Sequence, residues 1–431
     1  MGDWDRFTRR DFLRLAGTTA AAAGLAACTP GASSTGGSTS ARGSTVILGI
    51  TDVWKDAYQK MLDDVGFTKE TGIKVQLAIR PGTPDELITQ MTGAIQAGKT
   101  PYDVVDLEDE VAITASRAGW LRGLDGVLPS GFWDDFPSSM MDMVKVWYQY
   151  KGETFRIPHN YEAQYTFYRK DWFDAKGVAV PRTWEDVAAL GPVFTDASKN
   201  IWAVEDGLKK GAFLNVFVAY MTKQAGGNSF DTDDHLRQAL EYVHDLMYKQ
   251  RAMNPATLQK DYEAQNADYT ADRVAYMRQW PYFYDVSRAK TDWFKEGRAE
   301  IAMPALGPGG KGNGTYVAAW GWSIPKTTAN RKGAEELVRF LVDAKNAPRM
   351  AGSSQWFLNA RKSVLAANGN AGIAQFLKQY SDAGVIGTRP FHPKFVEALA
   401  VIEDGSSAFL TNQLSIDAAI KQMKDGMAAL K

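Results

Sequence analysis

The sequence is short of the residues that build covalent and metal-held structure. Among 431 residues there is one cysteine, Cys28, and four histidines. A lone cysteine excludes any disulfide within the chain. The histidines, His159, His235, His244 and His392, stand far apart without the spacing of a metal-ligand set, so no metal and no cofactor is expected. No excess of one charge is present either: 49 Lys and Arg face 50 Asp and Glu. The balance survives removal of the first 27 residues, which hold four Arg and three Asp. No basic face is available for a nucleic acid. No Gly-x-Ser-x-Gly elbow occurs, and no catalytic residue is assigned. The Gly307–Gly314 loop lacks the Gly-Lys-Ser/Thr ending of a phosphate cradle. The only strongly apolar run, Leu15 to Ala27, is too short and too alanine-rich to span a bilayer well. No internal repeat is found.

What surrounds that run is informative. Arg9-Arg10 followed by Phe12-Leu13 resembles the twin-arginine export signal, which carries proteins across already folded. Leu25-Ala26-Ala27-Cys28 puts small residues before the cysteine and resembles a lipobox, in which the cysteine is lipidated. Residues 1–27 therefore read as a signal peptide. Residues 28–44, rich in Gly, Ser and Thr, read as a flexible lipid-anchored linker. The expected location is the outer face of the cell membrane.

The body that follows alternates strands and helices. Thr45–Ile50, Ile73–Ile79 and Asp103–Leu107 have strand patterns. Helices are expected through Tyr58, Met61, Leu62 and Val65, over 84–97, and from the third strand to Gly119. Such alternation predicts a parallel, doubly wound α/β sheet. A second block begins near residue 156. Thr166–Tyr168 reads as a strand, and Thr183 with Asp186 three residues on reads as a helix N-cap. Helices are expected over 213–224 and 233–250. Ala299–Pro304 is strand-like, Ala334 to Val342 carries a helical stripe, and 371–431 reads as helical throughout. Open α/β sheets bind ligands at the carboxyl ends of their strands. That places Thr51, Asp52 and Trp54 after the first strand, and Asp106, Glu108, Asp109 and Glu110 after the third, among the candidates. Asp109 and Glu110 are the favoured pair, although acids also favour a helix start for its own sake. The chain has 13 Trp, which raises the expectation of a site that stacks flat apolar faces. Of Trp320 and Trp322, beyond the Gly-rich loop, one is expected to line a cleft and the other to pack in the core.

Five phrases in order resemble the extracellular solute-binding proteins of sugar importers, the family that includes maltose- and trehalose-binding proteins. They are Lys151–Pro158, Tyr165–Asp171, Gly177–Trp184, Ala275–Pro281 and Gly321–Pro325 with Asn330. Two departures stand out: Phe155 replaces a tyrosine, and Tyr168-Arg169-Lys170 lacks the usual asparagine. The resemblance spans nearly the whole body. It implies a two-lobed periplasmic-binding-protein fold, each lobe a doubly wound sheet flanked by helices, joined by hinge strands. The first lobe would comprise 45–157 and 304–345, the second 158–303 and 346–431, with crossings near Ile157–Tyr161 and Met303–Ala305. It also implies a monomer that captures a carbohydrate by hinge closure and serves an ABC permease pair with a cytoplasmic ATPase.

A sugar offers apolar C–H faces to rings and hydroxyls to polar groups. By the resemblance, Trp280 stacks on the sugar, Glu162 and Tyr161 follow the hinge as ligand contacts, and Trp356 and Arg361 lie in a late segment facing the ligand. Asn215 and Gln164 are further candidates, and His159 is read as structural. The phrase Met277–Tyr282 and the segment Arg389–Pro393 look closest to the α-glucoside branch, such as trehalose, maltose or sucrose. A polyol, a glycerophosphodiester and, more remotely, a secreted glycosidase are the alternatives.

Overall fold

The computed structural model describes residues 44–137, 140–211, 213–308, 314–359 and 361–430. The segments expected to form the signal peptide and the linker, with Cys28, lie outside the described residues through residue 43. No helix among the described residues is long and apolar enough to cross a membrane.

Among the described residues there are fourteen strands in chain order. β1 (Thr45–Ile50), β2 (Lys74–Ile79) and β3 (Val104–Leu107) open the fold. The short β4 (Gln149–Tyr150), β5 (Glu153–Thr154), β6 (Ile157–Pro158) and β7 (Glu162–Ala163) lead to β8 (Tyr165–Tyr168). Then come β9 (Trp202–Glu205), β10 (Val274–Gln279), β11 (Glu300–Ala302), β12 (Thr315–Ala318), β13 (Gly321–Ser323) and β14 (Ile386–Thr388). They form a five-stranded sheet, β2-β1-β3-β13-β6, a four-stranded sheet, β11-β8-β10-β9, and a small sheet, β14-β12-β7; β4 and β5 make a hairpin.

The first sheet begins as the alternation predicts. β1 runs parallel to β2 over six residues, Thr45↔Lys74 to Ile50↔Ile79, and parallel to β3 from Leu48↔Val104. The helix Lys55–Val65 buries Tyr58, Met61, Leu62 and Val65, the expected face, and stops at Gly66, whose φ of 72° suits a left-handed cap. Arg331–Val342 buries Ala334, Leu337, Val338, Leu341 and Val342 behind an Asn330 N-cap. In the second block the Thr183 cap forms as a reciprocal capping box with Asp186.

The expectation of purely parallel sheets is corrected. β13 is antiparallel to both β3 and β6, and β10 is antiparallel to β8. A strand that returns through a helix on its own sheet comes back parallel. β13 instead enters directly from the small sheet, two residues after β12. The expected all-helical C-terminal region is also corrected, because β14 interrupts it and pairs in parallel with β12.

These exchanges define where the chain passes between the two large sheets. β6 lies in the first, β7 in the small sheet and β8 in the second, so the outward passage runs through 159–164. β11 still belongs to the second sheet, and the return comes between β12 and β13, later than Met303–Ala305. The two passages are bonded together: the His159 amide donates to the Trp320 carbonyl at 3.1 Å, and the Trp320 amide donates to Asn160 Oδ1 at 2.6 Å. A third segment lies against them, with the Tyr161 amide donating to the Leu358 carbonyl at 2.8 Å.

Candidate functional site

The carboxyl ends of β1 and β3, the passages and the start of the helix after β10 surround a cavity of about 270 Å³. Its walls are rings. Trp54 follows β1, Trp280 and Tyr282 follow β10, Trp320 sits on the return passage, and Trp356 comes from the third segment. Trp54 and Trp356 are stacked, with centroids 3.7 Å apart. Trp320 meets Trp356 edge-on at 5.4 Å, and Tyr282 meets Trp54 edge-on at 6.4 Å. A wider space of about 870 Å³ shares Trp54, Tyr282 and Trp356 and continues past Val53, which is 76% exposed.

The polar lining is acidic and mostly paired. Glu108, Asp109 and Glu110 stand where β3 gives way to the helix Asp109–Arg117. Arg80 pairs with Glu108 and lies over the Trp320 ring at 5.3 Å. Arg156 pairs with Asp109 and also donates to the carbonyls of Leu107 at 3.2 Å and Ala319 at 3.1 Å. Arg389, which follows β14, reaches Glu110 at 2.5 Å and Asp109 at 3.4 Å. Burial pushes Glu110 up, but the Arg389 guanidinium outweighs it and holds the carboxyl below its ordinary value. Glu108, with burial dominating over Arg80, is raised to about 7.

Glu162 differs from these three. It lines the cavity, is 9% exposed and has no ion-pair partner among the described residues. Burial, reinforced by Asp109 and Asp106 and only partly offset by the Trp320 indole, raises its carboxyl to about 8.

Behind this wall lies a buried hydrogen-bond network. Asp106 accepts from Tyr58 at 2.8 Å and bonds His159 Nε2 at 2.7 Å, and the Trp322 indole donates to the Tyr58 hydroxyl at 3.0 Å. Trp322, 1% exposed, is therefore the core member of its pair and Trp320 the cleft member. His159 is fully buried in the same network, in keeping with a structural role.

The candidates thus separate. Trp280, Glu162, Asp109, Glu110, Trp54, Trp320 and Trp356 are brought together around one space. Trp322, Tyr161, Gln164, Arg361, Asn215 and Asp52 are not among its lining residues. Tyr161 is buried at the passage, and Gln164 is 1% exposed with neither side-chain atom partnered. Asn215 lies beside Val216, which does line the cavity. Asp52 is exposed in the turn after β1. Arg361 is committed elsewhere in this arrangement: its guanidinium is held by Asp135 at 2.7 Å and the Val342 carbonyl at 2.9 Å, contacts that brace the fold. Glu108, one of the four acids expected after the third strand, also lines the cavity, and Tyr282, Tyr262 and Arg389 line it without having been named as ligand contacts. Tyr282 was signalled by its place after Trp280-Pro281. Arg389 has no local signal, because its partners lie in a distant part of the chain.

Residues 51–348 match the family described as bacterial extracellular solute-binding protein. The chain belongs to this family. Solved structures share its fold at low identity. Maltose-bound MalE3 of T. maritima is 21% identical with a TM-score of 0.75, over 90% of this chain and 100% of that one. The GacH receptor of Streptomyces glaucescens, solved unliganded and with acarbose, is 19% identical with a TM-score of 0.76, over 90% and 98%. A solute-binding protein of Agrobacterium radiobacter K84 in complex with ribitol is 19% identical with a TM-score of 0.74, over 91% and 100%. As a member, the chain is of the exported, solute-binding kind, and the two-lobed α/β fold expected from the sequence is present.

Proposed function

We propose that this chain captures a carbohydrate in the cleft between its lobes and delivers it to the permease of an ATP-driven importer. The observation that carries the reading is the ring-walled, carboxylate-lined cavity: Trp54, Trp280, Trp320 and Trp356 offer apolar faces, while Glu108, Asp109, Glu110, Glu162 and Arg389 offer acceptors and donors. A di- or oligosaccharide of the α-glucoside type, such as trehalose or maltose, is the favoured ligand, and the neighbours solved with maltose and acarbose support it. A polyol is the second reading, supported by the neighbour solved with ribitol. The acidic lining disfavours a glycerophosphodiester. Ligand contacts made from both lobes favour a closed arrangement, so hinge closure follows as a shift of population. Lipidation of Cys28 and twin-arginine export complete the proposal: the protein works tethered outside the membrane, as a monomer and without catalysis.

A thermal-shift and calorimetric panel of trehalose, maltose, sucrose, ribitol and a glycerophosphodiester tests the ligand class. A cognate ligand at ~100 times its dissociation constant adds ~2.7 kcal/mol of stability, and it should shrink the radius of gyration in X-ray scattering. Hydrolysis of any bound disaccharide, or silence across the panel, overturns the reading. Cys28→Ala should abolish labelling by a lipid precursor.

A further inference from the structure

The charge around the cavity does not close. Four buried carboxylates, Asp106, Glu108, Asp109 and Glu162, and the partly buried Glu110 lie in or directly behind its wall, against three guanidiniums, Arg80, Arg156 and Arg389. Glu108, Asp109 and Glu110 consume the three arginines. Asp106 is satisfied by Tyr58 and His159. Glu162 is left over. Its only described polar contact is the Trp320 indole, and it is more than nine-tenths buried with its side chain on the cavity. A buried carboxylate without a cation is costly unless a partner arrives or a proton neutralises it. The rings of Trp280, Trp320, Trp356 and Tyr282 share its cavity, and electron-rich ring faces attract cations.

Resting on the carbohydrate reading, we propose that the cleft is built for an amino sugar, a saccharide bearing a protonated amine, with the ammonium paired to Glu162 and the sugar faces on the surrounding tryptophans. The ligand supplies the missing positive charge. Glu162 carries a proton in the empty site, in accord with its raised carboxyl, and gives it up when the ammonium binds. Arg80, Arg156 and Arg389 do not compete for Glu162, because each is engaged by another carboxylate. Asp106 and Asp109 stand behind Glu162 and strengthen the field that draws the cation in.

The test is calorimetry on the mature protein with trehalose and maltose, their mono-amino-deoxy analogues with the amine at each ring position, and the N-acetyl forms of those analogues. At least one amino analogue should bind roughly tenfold or more tighter than its neutral parent, and acetylation, which removes the charge, should erase the gain. In Glu162→Gln the ratio of amino to neutral affinity should fall to about one. At about pH 6, below the ordinary range of aliphatic amines, titration in two buffers of different ionisation enthalpy should show close to one proton released with the amino analogue and none with the parent. Neutral parents that bind as well as every amino analogue overturn this inference and leave the carbohydrate reading standing. Failure of every neutral and amino sugar to bind overturns both.

Discussion

The indoles of Trp54 and Trp356 lie face to face, 3.7 Å apart with planes 11° from parallel, although they come from opposite ends of the chain. The pair forms the divide between the inner cavity and the wider outer space, and both rings face both. Tyr282, at the start of the helix that follows β10, closes on Trp54 edge-on. Removing Trp54 opens this divide with little harm to the core, because Trp54 is only partly buried. Trp54→Ala is expected to weaken carbohydrate binding about tenfold while moving the unfolding midpoint slightly; calorimetry and urea titration read the two separately.

Arg389 is expected to matter for both stability and binding. It is 7% exposed, pairs with Glu110 and Asp109, and lies 5.0 Å from the centre of the Phe395 ring. Arg389→Leu leaves the partly buried Glu110 without its cation while Asp109 keeps Arg156, so the cost should fall below the about 3–5 kcal/mol of breaking a fully buried pair, at about 1–3 kcal/mol. Urea unfolding of the variant should show that loss. A variant as stable as the parent would mean that water reaches Glu110 freely.

Arg361 makes the opposite prediction. Its guanidinium is committed to Asp135 and the Val342 carbonyl and packs over Phe132 at 5.0 Å. Arg361→Ala should cost about 2–4 kcal/mol of stability and leave the dissociation constant within about twofold. A folded variant with a tenfold weaker affinity would restore Arg361 to the ligand site.

Gly321 holds the two passages together. A Cβ built there would sit 2.5 Å from the Ile157 carbonyl oxygen and 2.8 Å from Arg156 Cγ. Neither neighbour can retreat, since Ile157 is in β6 and Arg156 is tied to Asp109. Gly321→Ala should therefore destabilise the protein by about 1–3 kcal/mol and alter the compaction seen by scattering on ligand addition.

How far this was legible in the sequence depends on the range of the forces concerned. The face Tyr58–Met61–Leu62–Val65, the capping box at Thr183 and the strands β1 to β3 are set by neighbours a few residues away, and periodicity exposes them. The acids after β3 were found because their place at a strand end is itself local. The antiparallel insertion of β13 was not, since nothing within Gly321–Ser323 records which sheet receives it. Arg361 and Arg389 look equivalent as sequence, one following a tryptophan-containing phrase and the other preceding a proline. Only the fold decides that Asp135 takes the first and Glu110 the second.

The buried carboxylates give the protein an unusual pH profile. Glu162 is raised to about 8, and Glu108 and Glu205 to about 7, each by burial first. Unfolded, all three titrate near the ordinary 4.5. Between these limits the folded chain holds more protons than the unfolded one, so folding stability falls as pH rises. The stability these groups contribute is complete below about 4.5 and is lost as pH climbs through 7 to 8. Glu110 and Asp135 are lowered instead, so their contribution is present above the ordinary carboxylate range and is lost at lower pH. The two trends leave a maximum near pH 5. Each raised carboxyl can contribute up to about 1.4 kcal/mol per pH unit in its window. Urea midpoints should therefore decline from about pH 5.5 to 8.5, and Glu162→Gln, which cannot ionise, should flatten the upper part of that decline. A midpoint that is flat or rising across this range in the parent would show that water or counter-ions already solvate the Glu162 carboxylate in the empty cleft.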